Sequence, residues 1–395
     1  MKYRKFGHLD FKVSALGFGA MRLPCLNKDM AKIDSVEATA MLHYAIDQGV
    51  NYVDTAYVYH AGNSELFLGQ ALKHGYRNKV KLVTKLPSWK VESARDFDKF
   101  FNEQLEKLQT DRVDFYLLHA LNKDLWPKLR DLDVLSWAER AIAAGRIGCL
   151  GFSFHDSFDV FKEIVDAYDK WTISQIQYNY MDVENQAGIK GLQYAASKGL
   201  AVAIMEPILG GRLVNPPQPI QAIWDTAVHK RNPADWALQW VWNQPEPAVV
   251  LSGMSTLAQI KENVANADRS GINTLTAAEL ALFDQVRRKY HELTAIPCTQ
   301  CNYCMPCSNH VDIPLNFDIY NSGLMYDKPD NARGQYGWIA ERQRLGMADA
   351  NQQAGECREC GECESKCPQA IPIMKWLAVA HKVLGEKQPY VAKLE

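Results

Sequence analysis

The chain has 395 residues, 47% of them apolar and 23% charged. These are ordinary globular proportions, and they exclude disordered, collagen-like and disulfide-scaffold classes while leaving ample material for a buried core. The 44 Lys and Arg against 46 Asp and Glu give a net charge of −2, which removes the electrostatic reason to expect nucleic acid or an anionic membrane as a partner and points to a small ligand.

The N-terminal stretch MKYRKFGHLDFKVSALGFG lacks the sustained apolar run and small-residue cleavage site of a secretory signal. Nothing approaches the roughly 20 apolar residues that a membrane helix needs, since Glu206 and Pro207 break the longest stretch, Gly199 to Gly211. The sequence thus predicts a soluble, cytoplasmic protein with reduced thiols. Candidate strands are Ala15 to Gly19, Asn51 to Asp54, Val80 to Lys85, Val113 to Leu118, Cys149 to Ser153, Ile173 to Gln177, Ala201 to Met205 and Ala248 to Leu251. Between them lie helical patterns with apolar spacings of three and four, among them Ser35 to Gln48, Ala94 to Leu108, Leu132 to Ala144 and Asp156 to Asp166. Eight strand-then-helix units predict an α/β fold, a closed (β/α)8 barrel, with an open doubly wound sheet as the alternative. No G-x-G-x-x-G follows an early strand and no G-x-x-x-x-G-K-[ST] occurs, so the usual phosphate cradles lack their signature. A helical segment, Ala277 to Leu293, precedes Ile296-Pro297, which places the boundary near residue 295: a barrel over 1–295 and a small, mainly helical appendage over 296–395. Within the appendage Asp327 to Gly337 reads as turn-rich, whereas Trp338 to Met347 and Met374 to Leu384 read as helices.

Eight of the ten cysteines fall in the appendage. Cys25 and Cys149 read as ordinary buried thiols. The first run, Cys298, Cys301, Cys304 and Cys307, is spaced C-x2-C-x2-C-x2-C, and the second, Cys357, Cys360, Cys363 and Cys367, is spaced C-x2-C-x2-C-x3-C with Pro368 following. Thiolates at this spacing can wrap one face of a 4Fe-4S cluster, and the fourth usually ligates the other cluster. The expected partition is Cys298, Cys301, Cys304 and Cys367 on one cluster, and Cys357, Cys360, Cys363 and Cys307 on the second. Four-cysteine zinc sites are the alternative, but those normally separate two C-x2-C pairs by a longer loop. The first run departs from the ferredoxin pattern, with Ser308 where a proline is expected, and the long spacer between the runs resembles the helical ferredoxin modules of fumarate reductase and heterodisulfide reductase type. The tails Val311-Asp312-Ile313-Pro314 and Ala370-Ile371-Pro372 suggest an internal pseudo-repeat.

Four residues fall near the ends of successive strands: Asp54 and Tyr59 in VDTAYVYHAGNSE, Lys85 in KLVTK and His119 in FYLLH. In a (β/α)8 barrel those positions surround the mouth where active sites lie. Each has an ordinary structural reading alone; as a set they read as catalytic, because a buried Lys paired with Asp stays cationic and lowers the pKa of a nearby phenol.

From residue 3 to 267 the chain resembles the aldo-keto reductases, and with the cysteine runs it resembles the iron-sulfur-containing members of that family. The family's D-x4-Y, strand-end K and L-L-H signatures match Asp54, Tyr59, Lys85 and His119, and Arg22 in GFGAMRLP sits in the expected first loop. MEPILGG, Met205 to Gly211, resembles the strand-7 loop, with Met205 where others often carry a stacking aromatic. The resemblance places Ser153 and Gln175 against a nicotinamide carboxamide, and Gly253, Ser255, Thr256, Gln259, Glu262 and Asn263 around the adenosine end. NADP(H) is the family default, with NAD(H) left open because Gly253 and Gln259 stand where many relatives use Lys and Arg.

The reaction implied is hydride transfer from reduced nicotinamide to the carbonyl of a small aldehyde, ketone or sugar-like substrate. Tyr59 donates the proton, Lys85 and Asp54 tune its pKa, and His119 orients the carbonyl. Tyr57 and Trp89 read equally as packing or as pocket lining. Two 4Fe-4S clusters would serve electron transfer to a redox partner protein, redox sensing or structure. The alternative is an electron-transfer or redox-sensing protein whose barrel binds nucleotide or a partner without turning over a carbonyl.

Overall fold

The chain begins with an antiparallel hairpin, β1 (Tyr3–Phe6) and β2 (Leu9–Ser14). Its turn passes so close to the backbone that a Cβ on Gly7 would lie 2.6 Å from the Ala201 nitrogen, and Gly7 adopts a φ of 56°. The hairpin is absent from the sequence expectations although YRKF and LDFKVS carry the alternation of a half-buried strand.

The remaining strands are β3 (Leu16–Gly19), β4 (Tyr52–Asp54), β5 (Lys81–Leu86), β6 (Val113–Leu121), β7 (Ile147–Phe154), β8 (Ile173–Gln177), β9 (Ala201–Met205) and β10 (Pro247–Gly253). All eight pair in parallel and close into a barrel, with β10 returning to β3. The closure excludes the open sheet. These strands read as nearly continuous apolar runs because helices cover their outer faces while side chains fill the interior. Phe6 and Val13 of the hairpin join Tyr52, Val83, Phe115, Leu117, Ile173, Ala203 and Val249 in one buried cluster, with the Phe6 and Phe115 rings 4.8 Å apart.

The computed structural model describes residues 1–345 and 348–394. They form two compact units, Met1–Gly210 with Ala234–Thr276, and Gly211–Pro233 with Ala277–Glu395. In the first, the helix Arg95–Leu108 buries Phe97, Phe100, Phe101, Gln104, Leu105 and Leu108, the spacing of one helical face, and stops at Gln109 with a left-handed φ of 50°. In the second, helices span Gln218–Trp224, Ala277–Glu292, Ile313–Met325, Pro329–Arg344 and Ile373–Ala380. Asp312 caps Ile313–Met325 by accepting a 3.1 Å hydrogen bond from the Leu315 amide. Helix Pro329–Arg344 corrects the turn-rich reading of Asp327 to Gly337: Pro329 occupies its first turn, where no N–H is needed, and Ala332, Tyr336 and Ile339 form a buried face. Met347, the expected end of that helix, lies outside the described residues. No helix among the described residues is long and apolar enough to cross a membrane.

Candidate active site

The parallel strands deliver their C-terminal residues to one end of the barrel. Asp54 ends β4, Lys85 lies one residue before the end of β5 and His119 two before the end of β6. Tyr59 follows β4 on the short turn Tyr59–Gly62, where His60 and Ala61 take left-handed φ values of 53° and 55°. The Lys85 ammonium is fully buried. It donates to Asp54 Oδ1 at 2.8 Å, Asp54 Oδ2 at 2.9 Å, the Thr55 carbonyl at 2.8 Å and the Tyr59 hydroxyl at 3.4 Å. The Tyr59 and His119 rings are 6.2 Å apart at 81°, and both keep part of their surface exposed.

Burial works against the charge on Lys85, yet Asp54 and then Tyr59 outweigh it and hold its pKa above the ordinary value. Burial pushes the Asp54 carboxyl up while Lys85 pulls it back. The two directions favour opposite forms of the pair, and the close ammonium contacts to both carboxylate oxygens favour the ionised one. Burial also raises the Tyr59 phenol; Lys85 lowers it and Asp54 raises it, so the net direction is upward. Lys85 thus acts in the direction expected from the sequence, but burial outweighs it and Asp54 works against it, so the phenol is not brought down. His119 is held well below its ordinary pKa by burial, then by Lys85 and His155, and is neutral at physiological pH. Its Nδ1 is buried with no partner among the described residues.

Behind β5 lies a buried network that no sequence spacing signals. Gln104 Nε2 lies 2.6 Å from Glu65 Oε1 and 3.0 Å from the Lys85 carbonyl, Thr84 donates to Glu65 Oε1 at 2.6 Å, and Tyr116 donates to Gln104 Oε1 at 2.7 Å. Trp89 packs against His119 with ring centroids 5.1 Å apart. Tyr57 instead donates to Glu103 at 3.0 Å and packs edge-on against Phe100, so it belongs to the helix layer.

Ser153 and Gln175 sit opposite each other in the register of β7 and β8. The Ser153 hydroxyl accepts a 2.8 Å hydrogen bond from the Ala120 amide, which leaves its own proton to donate. The Gln175 amide is 2% exposed; its Nε2 approaches Met205 Sδ at 3.8 Å, and its Oε1 has no partner among the described residues. One free donor beside one unpaired acceptor matches what a carboxamide requires, so these residues fit a nicotinamide ring. Arg22 lies over Gly253, where a Cβ would come within 3.2 Å of its side chain. At the start of helix Leu257–Asp268, Thr256 caps the Gln259 amide at 3.3 Å, and Gln259 Oε1 accepts from the Ser255 amide at 2.8 Å. Ser255, Thr256 and Gln259 are exposed, as is Glu262, whereas Asn263 is buried and donates to Ser252 at 3.1 Å.

The eight clustered cysteines divide into two sets. Cys298, Cys301, Cys304 and Cys367 line one recess, while Cys307, Cys357, Cys360 and Cys363 line a second that Cys304 also borders. Among the described residues no three His, Cys, Asp or Glu side chains meet closely enough to hold a single ion; the sulfurs are spread over the recess walls instead. Burial raises the Cys304 thiol, and Cys298, Cys301 and Cys367 raise it further; burial likewise raises Cys363, to which Cys357 and Cys307 add. An all-sulfur donor set of four around each recess fits a 4Fe-4S cluster, whose positive iron would hold the sulfurs as thiolates.

Residues 15–288 match the aldo/keto reductase family and residues 297–372 match a 4Fe-4S dicluster domain. Among curated proteins the chain is similar to Protein tas of Escherichia coli (strain K12), 26% identical over 325 residues covering 67% of this chain and 92% of that protein. It is also similar to L-galactose dehydrogenase of Arabidopsis thaliana, 29% identical over 291 residues covering 67% and 88%. Among solved structures it resembles aldo-keto reductase AKR11C1 from Bacillus halodurans in its holo form, with a TM-score of 0.61 at 26% identity, covering 72% of this chain and 96% of that one. With the family matched over 15–288, a closed eight-stranded barrel and reductases among its relatives, the chain belongs to the aldo/keto reductase family and is an oxidoreductase with an added 4Fe-4S domain.

Proposed function

We propose that the barrel reduces a small carbonyl substrate with NAD(P)H, with Tyr59 as the proton donor. The observation that carries this reading is the Lys85 ammonium, fully buried and shared among Asp54, Thr55 O and the Tyr59 hydroxyl. A bound reduced nicotinamide would supply the hydride. Tyr59, neutral because burial raises its pKa, gives its proton to the carbonyl oxygen as negative charge develops there. The cation 3.4 Å away stabilises the phenolate left behind. Neutral His119 supplies a second hydrogen bond to the same oxygen, and Trp89 supports its ring. Ser153 would donate to the carboxamide oxygen of a bound nicotinamide and Gln175 would accept from its nitrogen, so that these two residues orient it. The exposed turn at Ser255, Thr256 and Gln259, with Arg22, Gly253, Glu262 and Asn263, receives the adenosine end, where helix N-terminal amides suit a phosphate.

The eight cysteines, in the two sets described, hold two 4Fe-4S clusters, which supply one-electron chemistry. A redox partner protein and a cytoplasmic location belong to the same proposal, as does the division of the chain into a barrel over 1–295 and a ferredoxin-like domain over 296–395. The test is anaerobic: the full chain is titrated with NADPH and NADH by fluorescence, then assayed for nucleotide oxidation that depends on added aldehydes, ketones and sugar carbonyls. Carbonyl-dependent oxidation supports the proposal. Nucleotide binding with no oxidation across the panel, while the clusters are reduced, would favour the electron-transfer alternative.

A further inference from the structure

The two cysteine sets are built alike, and their likeness isolates one difference. In the first, the Gln300 amide hydrogen-bonds the Cys298 sulfur; in the second, the Glu359 amide donates to Cys357 Sγ at 3.4 Å. Gln300 and Glu359 adopt matching left-handed φ values of 56° and 54°. These backbone donors match between the sets. Nearby charge is arranged differently but balances alike among the described residues: Asp318 alone lies near Cys298, whereas at the second set Glu359, Glu362 and Glu364 outnumber Arg358 and Lys366 by one.

The side chain after the crossing cysteine breaks the symmetry. Cys307 is followed by Ser308, and Cys367 by Pro368. Ser308 Oγ lies 4.0 Å from Cys360 Sγ, the outer reach of a hydrogen bond to sulfur, and Asn309 Nδ2 donates to that same Oγ at 3.4 Å. With its lone pair engaged by Asn309, the Ser308 hydroxyl has its proton to give; Cys360 as a ligand thiolate has none, so the serine is the donor. Pro368, which lines the other recess, has neither a hydroxyl nor an N–H.

Hydrogen bonds to cluster sulfurs stabilise the extra negative charge of the reduced state and so raise the reduction potential. We infer that the two clusters are unequal, the one on Cys307, Cys357, Cys360 and Cys363 having the higher potential, and that Ser308 is the residue that sets the gap. On one-electron reduction the incoming charge settles first on that cluster; no bond to Ser308 forms or breaks. The inference rests on the two-cluster reading of the cysteines.

The test uses the full chain purified without oxygen, with iron assayed first and a dithionite titration followed by electron paramagnetic resonance. About eight irons per chain and two one-electron midpoints are expected for the natural chain. Ser308→Ala should lower the higher midpoint toward the other and leave the lower one in place. Ser308→Thr, which keeps the hydroxyl, should retain both. Eight irons with both midpoints unmoved by Ser308→Ala, or a shift of the lower one, would overturn the inference alone. Iron short of two clusters would overturn the reading beneath it as well.

Discussion

The Lys85 ammonium reaches the Tyr59 hydroxyl at 3.4 Å only after Asp54 and the Thr55 carbonyl have taken its shorter contacts of 2.8 Å. The cation is therefore fixed by partners other than the proton donor, and its position does not depend on the protonation state of the phenol. Replacing it alone should be costly. Lys85→Met leaves Asp54 buried without its counter-charge, and we expect a loss of about 3–5 kcal/mol in denaturant unfolding. Combining it with Asp54→Leu should recover most of that stability without recovering activity. A single Lys85→Met variant as stable as the natural chain would mean that the pair is not ionised.

The pH profile follows from two directions. Carbonyl reduction needs Tyr59 protonated, and because burial raises its pKa from 10.0, the acid form persists as pH rises and is lost only above that value. His119 is lowered from 6.5, chiefly by burial, so it becomes cationic only as pH falls well below that value. Between these limits kcat/KM for the carbonyl should be flat on account of these groups. An alkaline fall with a midpoint below 10.0 would show that bound nucleotide or substrate brings the phenol down.

Gln104 holds the Lys85 carbonyl from behind at 3.0 Å and ties it to Glu65 and Tyr116. Truncation to Ala strands those buried groups, at about 1–3 kcal/mol for each left unsatisfied. Gln104→Ala should therefore lower the melting temperature and reduce kcat through displacement of Lys85, whereas nucleotide affinity should change little. Unaltered kcat would sever the network from the site.

Gln175 carries a buried acceptor with no partner among the described residues. A group retained for stability would not be left unpaired. Gln175→Leu should keep or raise the melting temperature while weakening nicotinamide nucleotide binding by up to about tenfold, the worth of one net hydrogen bond. Calorimetric titration with NADPH checks both. Lower stability with unchanged binding would make the amide structural.

Much of the barrel was legible because parallel strands buried on both faces must be apolar runs and active-site residues must follow their C-terminal ends. Asp54, Lys85 and His119 stand at those ends, and the structure brings Tyr59 to them. The hairpin Tyr3–Ser14 carries its alternation in the sequence, but it stands outside the repeating βα units and so escapes the pattern that reveals the barrel. Helix Pro329–Arg344 was hidden by Gly334 and Gly337 and by polar composition; its signal was the spacing of Ala332, Tyr336 and Ile339. Tyr57 could not be placed from sequence, since its partner Glu103 lies on another element. The Glu65, Thr84, Gln104 and Tyr116 network is invisible for the same reason: four residues on separate elements obey no spacing rule.

The most direct test of the account is Tyr59→Phe in the full chain, because it removes one hydroxyl and leaves the ring, Lys85 and the nucleotide contacts in place. General acid catalysis typically contributes about 10² to 10⁴ in rate. With a carbonyl substrate that the natural chain reduces, the variant should lose NAD(P)H-dependent turnover by a factor in that range while binding the nucleotide as tightly as before. Turnover at the natural rate would contradict the assignment of Tyr59 as the proton donor and with it the proposed chemistry of the site.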